Sequence, residues 1–100
     1  MSTLRAYILS YDIAQAKRLR AMHKLALAFG RPLQYSVFSC VLRREDRVRL
    51  AARIEALILR SEDRVVLIDI GPVADRDSWI PPLEIFGRQI LPASPSVVVV

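Results

Sequence analysis

The first 70 residues contain strand-like and helix-like segments, and the order of these segments limits the possible folds. The order is a strand over Leu4–Ser10, a helix over Ile13–Phe29, extended chain over Leu33–Leu42, a helix over Asp46–Arg60 and a strand over Arg64–Ile70. The extended segment fits one bent strand or two short strands with a break near Tyr35-Ser36. With two strands the order is βαββαβ. It predicts an α+β, ferredoxin-like fold with both helices on one face of an antiparallel sheet.

The apolar residues of the two helices indicate which faces are buried and where the helices begin and end. Gly30 ends the first helix, and Pro32 cannot continue it. Asp46 is the expected N-cap of the second helix. The first helix is expected to bury a stripe formed by Leu19, Met22, Ala26 and Phe29, with Leu25 at its edge.

The remaining residues predict a less regular part of the chain. Gly71-Pro72 closes the last strand, so we expect a ferredoxin-like domain over residues 1–71 and a C-terminal extension over residues 72–100. The extension ends in Val97–Val100. Four consecutive β-branched residues are typical of an edge strand rather than of a solvent-facing tail, which predicts an extra C-terminal strand.

Composition excludes several classes of protein. The chain has 100 residues, of which 53% are hydrophobic, so it is not a disordered segment. It has one cysteine, Cys40, which excludes a disulfide framework and a multi-cysteine metal cluster. No apolar stretch reaches the length of a membrane span, and the N-terminus shows no signal-peptide pattern. We therefore expect a cytoplasmic protein with no membrane partner.

Charge is distributed unevenly along the chain. Residues 1–60 carry twelve Lys or Arg and four Asp or Glu, a net charge of +8, whereas residues 61–100 carry three and six, a net charge of −3. Most of the cations are arginine, which binds phosphate and carboxylate groups through paired hydrogen bonds. This balance suggests a polyanionic partner, although many small basic domains bind no nucleic acid.

Asp12 is the clearest candidate for a functional residue. It directly follows the first strand, where a carboxylate is well placed to bind magnesium or manganese through oxygen. Its alternative role is to cap the helix that follows. A single carboxylate is too few for a metal site, so a metal here also needs water, a substrate phosphate or a second subunit.

Two groups of cations and two single residues also have alternative interpretations. The basic stripe of the first helix, Lys17, Arg18, Arg20 and Lys24, is either a phosphate-binding surface or an ordinary solvated face. Arginines near the start of the second helix oppose its dipole, which favours a functional role for Arg43, Arg44, Arg47 and Arg49. His23 and Cys40 lack catalytic companions and are expected to be structural.

Several of these segments together resemble the CRISPR-associated protein 2 family. The resemblance rests on Tyr11-Asp12-Ile13 at the end of the first strand and on the basic helix after it. It also rests on Gly30–Phe38, which reads G-R-P-L-Q-Y-S-V-F. It is close over residues 4–70 and looser beyond residue 71, where Phe86-Gly87 precedes the terminal valines.

The resemblance implies a homodimer with facing sheets, in which Asp12 from both subunits shares one Mg²⁺ (or Mn²⁺) ion and the terminal strand pairs with the partner subunit. It implies a role in CRISPR adaptation, that is, spacer acquisition, in which the protein bridges integrase subunits and binds DNA or RNA. It also implies magnesium-dependent endonuclease activity on single-stranded RNA or double-stranded DNA; the alternative is a non-catalytic DNA adaptor. The implied catalytic residues are Asp12 and Tyr11, and the implied nucleic-acid contacts are Lys17, Arg18, Arg20, Arg31, Ser36 and Phe38.

Two positions depart from the pattern of the family. Many relatives have an acidic residue where this chain has Gln15, and many have another where this chain has Ser39. Fewer carboxylates weaken the expectation of strong nuclease activity, whereas the basic residues are retained.

Overall fold

The structure is a computed structural model and describes residues 3–88 and 98–99. Its elements are β1 (Leu4–Asp12), α1 (Ala16–Phe29), β2 (Arg31–Gln34), β3 (Val37–Leu42), α2 (Arg44–Leu57), β4 (Arg64–Val73), β5 (Glu84–Ile85) and β6 (Val98–Val99). The first four strands form an antiparallel sheet in the order β2-β3-β1-β4. This order confirms the predicted ferredoxin-like α+β fold, with the extended segment divided into two strands at Tyr35-Ser36.

Both helices pack on the same face of the sheet. Alternate residues of β1 point toward them, and Tyr7 and Leu9 pair in register with Cys40 and Phe38 of β3. These side chains form one core with the buried residues of the helices, Met22, Leu25, Ala26, Leu50 and Ile54. Each fully buried large side chain contributes about 1.5–3 kcal/mol by leaving water, so this core is the main source of stability of the sheet.

The end of α1 is fixed by a close approach to β3. Gly30 stops the helix and its N–H donates to the carbonyl oxygen of Ala26. A Cβ atom at this position would lie 2.5 Å from the carbonyl oxygen of Ser39 and 2.6 Å from Sγ of Cys40. Glycine is therefore required here by space, and not only as a helix stop signal.

The limits and buried faces of the helices differ from the predictions. α1 begins at Ala16 and not at Ile13, since the Gln15 side chain caps it by accepting the N–H of Arg18 at 2.8 Å. Leu19 is 41% exposed, so its assignment to the buried stripe was wrong. The buried stripe instead follows the spacing of Met22, Leu25 and Ala26.

The second helix also differs from the prediction. α2 begins at Arg44, two residues before Asp46, and ends at Leu57, three residues before Arg60. Arg43 occupies the N-cap position without a side-chain hydrogen bond, so the predicted cap by Asp46 was wrong. Asp46 lies in the first turn with Glu45, where a negative charge is favoured by the helix dipole.

Strand β4 continues past the predicted stop at Gly71-Pro72 to Val73. Gly71 has a φ of 124°, and the pairing of β1 with β4 shifts register beside it, so glycine forms a β-bulge instead of ending the strand. Pro72 is tolerated because β4 is an edge strand. The division into residues 1–71 and 72–100 remains a prediction, with its boundary inside β4.

The extension beyond β4 contains the predicted extra strand. Val98–Val99 pairs in parallel with Glu84–Ile85 of the same chain, while Val97 and Val100 lie outside the described residues. Pairing of this strand with a partner subunit therefore remains a prediction. No helix in the described part of the chain is both long enough and apolar enough to span a bilayer.

Candidate functional site

Asp12 is the last residue of β1 and is exposed. It belongs to the same alternate set as Ile8 and Ser10, on the sheet face away from the helices. Its register partner on β4 is Arg64. Because Gln15 provides the cap of α1, the alternative role of Asp12 as helix cap is excluded, and its carboxylate stands at the edge of the uncovered face.

Asp63 fixes the loop that follows Asp12. Its side chain has no exposed surface, and its carboxylate accepts the N–H of Ala14 at 3.0 Å and the N–H of Leu59 at 2.8 Å. Nε of Arg18 donates to the same carboxylate at 2.8 Å. These bonds join the loop before α1 to the loop before β4. The neighbouring guanidinium and the N–H donors lower the pKa of Asp63 to about 2, so this carboxylate is ionised near neutral pH.

Arg18 consequently forms its ion pairs with residues of the same chain. Besides the bond to Asp63, its Nη2 donates to Oε1 of Glu62 at 2.9 Å, and its side chain is only 24% exposed. Both carboxylates raise the pKa of the guanidinium. The predicted contact of Arg18 with nucleic acid would have to compete with these two ion pairs, which makes Arg18 a structural residue in this conformation.

Tyr11 holds the turn between β2 and β3 against the end of β1. Its hydroxyl donates to the carbonyl oxygen of Tyr35 at 2.9 Å and lies 3.1 Å from Nδ1 of His23. Its backbone N–H donates to the carbonyl oxygen of Ser36 at 3.1 Å. The ring stacks on Phe38 at 6.2 Å between centroids, and burial raises the pKa of the Tyr11 hydroxyl.

These contacts change the roles assigned to two aromatic residues. Phe38 is completely buried and Tyr11 is 5% exposed, so neither presents a ring surface for nucleic acid. The prediction that Phe38 contacts nucleic acid is therefore corrected, because it supports the site from the core. Tyr11 positions the turn, and its catalytic role remains a prediction. His23 packs edge-on against Phe38, as expected of a structural histidine.

The remaining predicted cations lie in two different places. Lys17 and Arg20 are exposed on the first turns of α1, shortly after Asp12 in the chain. Arg31 pairs in register with Ser39, which itself pairs with Ile8 of β1. Ile8 precedes Asp12 by four residues, about 13 Å along a strand. Arg31 therefore lies level with the middle of β1, on the edge strand β2, and does not join Asp12.

The face on which Asp12 lies is apolar and has no helix over it. Ile68, which lies midway along the edge strand β4 and pairs with Ile8, is 49% exposed. The neighbouring pair on this face is Ser10 and Val66. Water-exposed isoleucine on the flat face of a sheet is a feature of an interaction surface.

Asp12 stands without other metal-ligating side chains grouped around it in the described part of the chain. Residues 3–88 contain no group of three His, Cys, Asp or Glu side chains arranged to hold a metal ion. Asp12 supplies one exposed carboxylate oxygen donor, which is the preferred chemistry of Mg²⁺. This ion often keeps several water ligands and binds one or two protein carboxylates. Asp12 therefore has the chemistry of one Mg²⁺ ligand, and the described residues do not complete a metal site around it.

Sequence reasoning missed Asp63 as a site residue. Its partners Ala14 and Arg18 are 49 and 45 residues away in the chain, so no local pattern identifies them. Gln15, interpreted only as a missing carboxylate, is the cap of α1. The one available signal was the placement of an acidic residue directly before a β-rich segment, at Asp63-Arg64.

The fold agrees with the comparisons to known proteins. The sequence profile of the family described as CRISPR associated protein Cas2 matches residues 5–77. The CRISPR-associated endoribonuclease Cas2 1 of Rhodospirillum rubrum is 42% identical over 72 residues, which cover 72% of this chain and 71% of that protein. The CRISPR-associated endoribonuclease Cas2 of Geobacter sulfurreducens is 41% identical over 66 residues, which cover 66% of this chain and 70% of that protein.

Solved structures agree with the same assignment. A hypothetical protein of Thermus thermophilus superposes with a TM-score of 0.69 at 28% identity, covering 90% of this chain and 99% of that one. Cas2 of Streptococcus pyogenes, crystallised at pH 6.5, gives a TM-score of 0.58 at 27% identity and covers 62% of this chain and 81% of its own. The chain belongs to the CRISPR-associated Cas2 family, which confirms the resemblance found in the sequence.

Proposed function

We propose that this chain is a CRISPR adaptation protein that binds nucleic acid and cleaves it as a magnesium-dependent endonuclease. The observation that carries the proposal is the position of Asp12. It is an exposed carboxylate at the end of β1, on an apolar sheet face without a covering helix. The relatives named endoribonucleases support RNA as the first substrate to test.

The same face supports a homodimer. Two copies that pack through Ile68 and its neighbours around a two-fold axis would each contribute the same surface. Because Asp12 shares this face with Ile8, a two-fold arrangement presents Asp12 twice across the interface. The second copy would thus supply the carboxylate that a single chain lacks.

Each residue near Asp12 has a separate task in this proposal. The two Asp12 carboxylates would hold Mg²⁺, which when bound activates water or polarises the scissile phosphate. Lys17 and Arg20 would neutralise the phosphates of the bound strand. Tyr11 and Asp63 keep the two loops beside Asp12 in place.

The test is Asp12→Asn, which keeps the size of the side chain but removes its charge. Cleavage of single-stranded RNA and of duplex DNA is measured across a magnesium titration, with Asp75→Asn as the matched control because Asp75 is an exposed turn residue far along the chain. Loss of magnesium-dependent cleavage only in Asp12→Asn is the expected result. Full activity of Asp12→Asn would refute the catalytic assignment.

The dimer is tested separately by sedimentation. Ile68→Asp places a charge on the uncovered sheet face and is expected to convert a dimer into monomers. Val48→Asp is the control, since Val48 is 54% exposed on α2, on the opposite side of the sheet. An unchanged dimer in Ile68→Asp would show that the subunits do not meet through this face.

The second candidate function is a non-catalytic adaptor that bridges integrase subunits and binds DNA. It is favoured by the single carboxylate of Asp12 and by Gln15, which serves as a helix cap and adds no charge. This candidate predicts that Asp12→Asn retains both DNA binding and spacer integration with the CRISPR integrase. Loss of integration in Asp12→Asn would exclude it.

A further inference from the structure

A second concave site lies at the end of the sheet opposite Asp12. A cavity of about 520 Å³ opens between the C-terminal end of α1, one side of α2 and the segment that follows β4. This volume is within the usual range of small-ligand sites. We name it the arginine pocket, and the residues that define it are Phe29, Arg31, Arg49, Arg53, Arg76 and Trp79.

The charge of the arginine pocket favours an anion. Four guanidinium groups line it, whereas its carboxylates are Asp46 and Asp77. Asp46 accepts a hydrogen bond from Nη1 of Arg49 at 3.1 Å, and the Arg49 side chain is still 57% exposed. The cations exceed the carboxylates by two, and they come from β2, from α2 and from the segment after β4. Cations from three parts of the chain therefore face one cavity, which a single solvated helix face does not explain.

Two aromatic rings line the pocket as well, and a guanidinium covers one of them. The guanidinium of Arg53 lies over the ring of Phe29, 5.9 Å from its centroid. Trp79 is partly buried and lines the same cavity. An indole beside guanidinium groups suits a nucleotide, because the base can stack on the ring and the phosphate can accept hydrogen bonds from arginine.

We propose that the arginine pocket binds a phosphate-bearing terminal nucleotide of a single-stranded nucleic acid. An acidic peptide would use the cations but would leave the indole of Trp79 without a stacking partner, so the observations favour the nucleotide. This site uses neither Asp12 nor a metal ion. Its test therefore does not depend on the proposed nuclease activity, and it assigns to Arg31 a role away from Asp12.

The test uses the fluorescence of Trp79, the single tryptophan of the chain. The full-length protein is titrated with the 5′-phosphorylated dinucleotide pTpT, with unphosphorylated TpT and with inorganic phosphate, in buffer without magnesium. We expect pTpT to quench the emission and to bind about tenfold or more tightly than TpT, because the charge-assisted bonds to phosphate are lost in TpT. Inorganic phosphate is expected to compete with pTpT without quenching by itself.

Variants separate the pocket from general surface charge. Arg76→Ala and Arg49→Ala are each expected to weaken pTpT binding about tenfold. Arg60→Ala removes the same charge from an exposed residue outside the pocket and is expected to leave binding unchanged. Asp12→Asn is likewise expected to bind pTpT as the natural chain does, so that failure of one proposal is distinguished from failure of the other. Circular dichroism checks that every variant is folded.

Three outcomes would overturn the proposal. The first is unchanged Trp79 emission at millimolar pTpT. The second is equal affinity for pTpT and TpT, or equal weakening by Arg76→Ala and Arg60→Ala, which would indicate non-specific binding. The third is quenching by an acidic peptide that pTpT cannot displace, which would assign the pocket to a protein partner.

Discussion

The two ends of the sheet present charged residues in different ways. At the Asp12 end, the carboxylate of Asp63 is fully buried and accepts hydrogen bonds from two loops and from Arg18. At the opposite end, Arg49 is more than half exposed and its ion pair with Asp46 is a local one within α2. Buried polar groups hold a backbone in one place, whereas exposed cations mainly set the electrostatic potential of a surface.

This difference indicates how each end is expected to work. A metal ion shared between two carboxylates needs defined positions, and the loop after Asp12 is fixed by the bond between Ala14 and Asp63. A phosphate accepts hydrogen bonds from arginine side chains that can adjust their position. The arginine pocket therefore needs fewer buried hydrogen bonds to fix its backbone. Substitutions at buried charged or aromatic residues near Asp12 are therefore expected to affect stability more than substitutions at the exposed arginines of the pocket.

The largest effect is expected from removal of the Phe38 ring, which packs against Tyr11. Phe38→Ala leaves a cavity against Tyr11 and His23, and we expect a loss of about 3–5 kcal/mol in the free energy of unfolding. Phe86→Ala is the matched control, because Phe86 is 76% exposed and its loss is expected to change stability by less than about 0.5 kcal/mol. Urea unfolding measures both, and equal losses would show that the ring of Phe38 is not a core element.

The second prediction concerns Asp63 and its dependence on pH. Because its pKa falls from about 3.9 in the unfolded chain to about 2 in the folded chain, its ionised form stabilises the fold above pH 4. This contribution is lost as the pH falls from about 4 toward 2. We expect Asp63→Asn to lower the melting temperature by several degrees at pH 7 and to reduce the dependence of stability on pH in that window.

Glu62→Gln is the control for Asp63→Asn, because Glu62 binds the same arginine but is 52% exposed. Thermal unfolding followed by circular dichroism between pH 2 and pH 7 compares the two variants. A pH profile of Asp63→Asn identical to that of the natural chain would contradict the assigned role of Asp63.

The smallest effect is expected at the arginine pocket. Arg49→Ala removes an exposed pair with Asp46 and is expected to change the free energy of unfolding by less than about 0.5 kcal/mol. Arg18→Ala removes the same side chain at the other end, leaves Asp63 buried without its cation, and is expected to lower the melting temperature by several degrees. Equal effects of the two variants on stability would contradict the difference in burial between the two ends.

Part of the candidate site was predictable because its signals are local. Asp12 was identified by its place after a strand, and the exposed Lys17 and Arg20 by helical spacing. The pairing of Arg18 with Asp63 was not predictable. Helical spacing indicates which face of α1 carries the basic residues, but it gives no information about a carboxylate 45 residues away in the chain. Arg31 was assigned to the Asp12 site from the resemblance alone, and its register with Ser39 places it level with Ile8, about 13 Å from Asp12 along the strand direction.

The sequence by itself determined the order of the elements, the α+β class and the family, because alternation, helical period and short motifs are properties of neighbouring residues. Only the tertiary structure decided which charged groups are buried and which remain available. That choice depends on the register of β1 with its neighbours and on the packing of α1 and α2 against one face, and both bring together residues that are distant in the chain. The same packing leaves Ile68 and Asp12 on the face without helices, where the proposed dimer and its metal site would form.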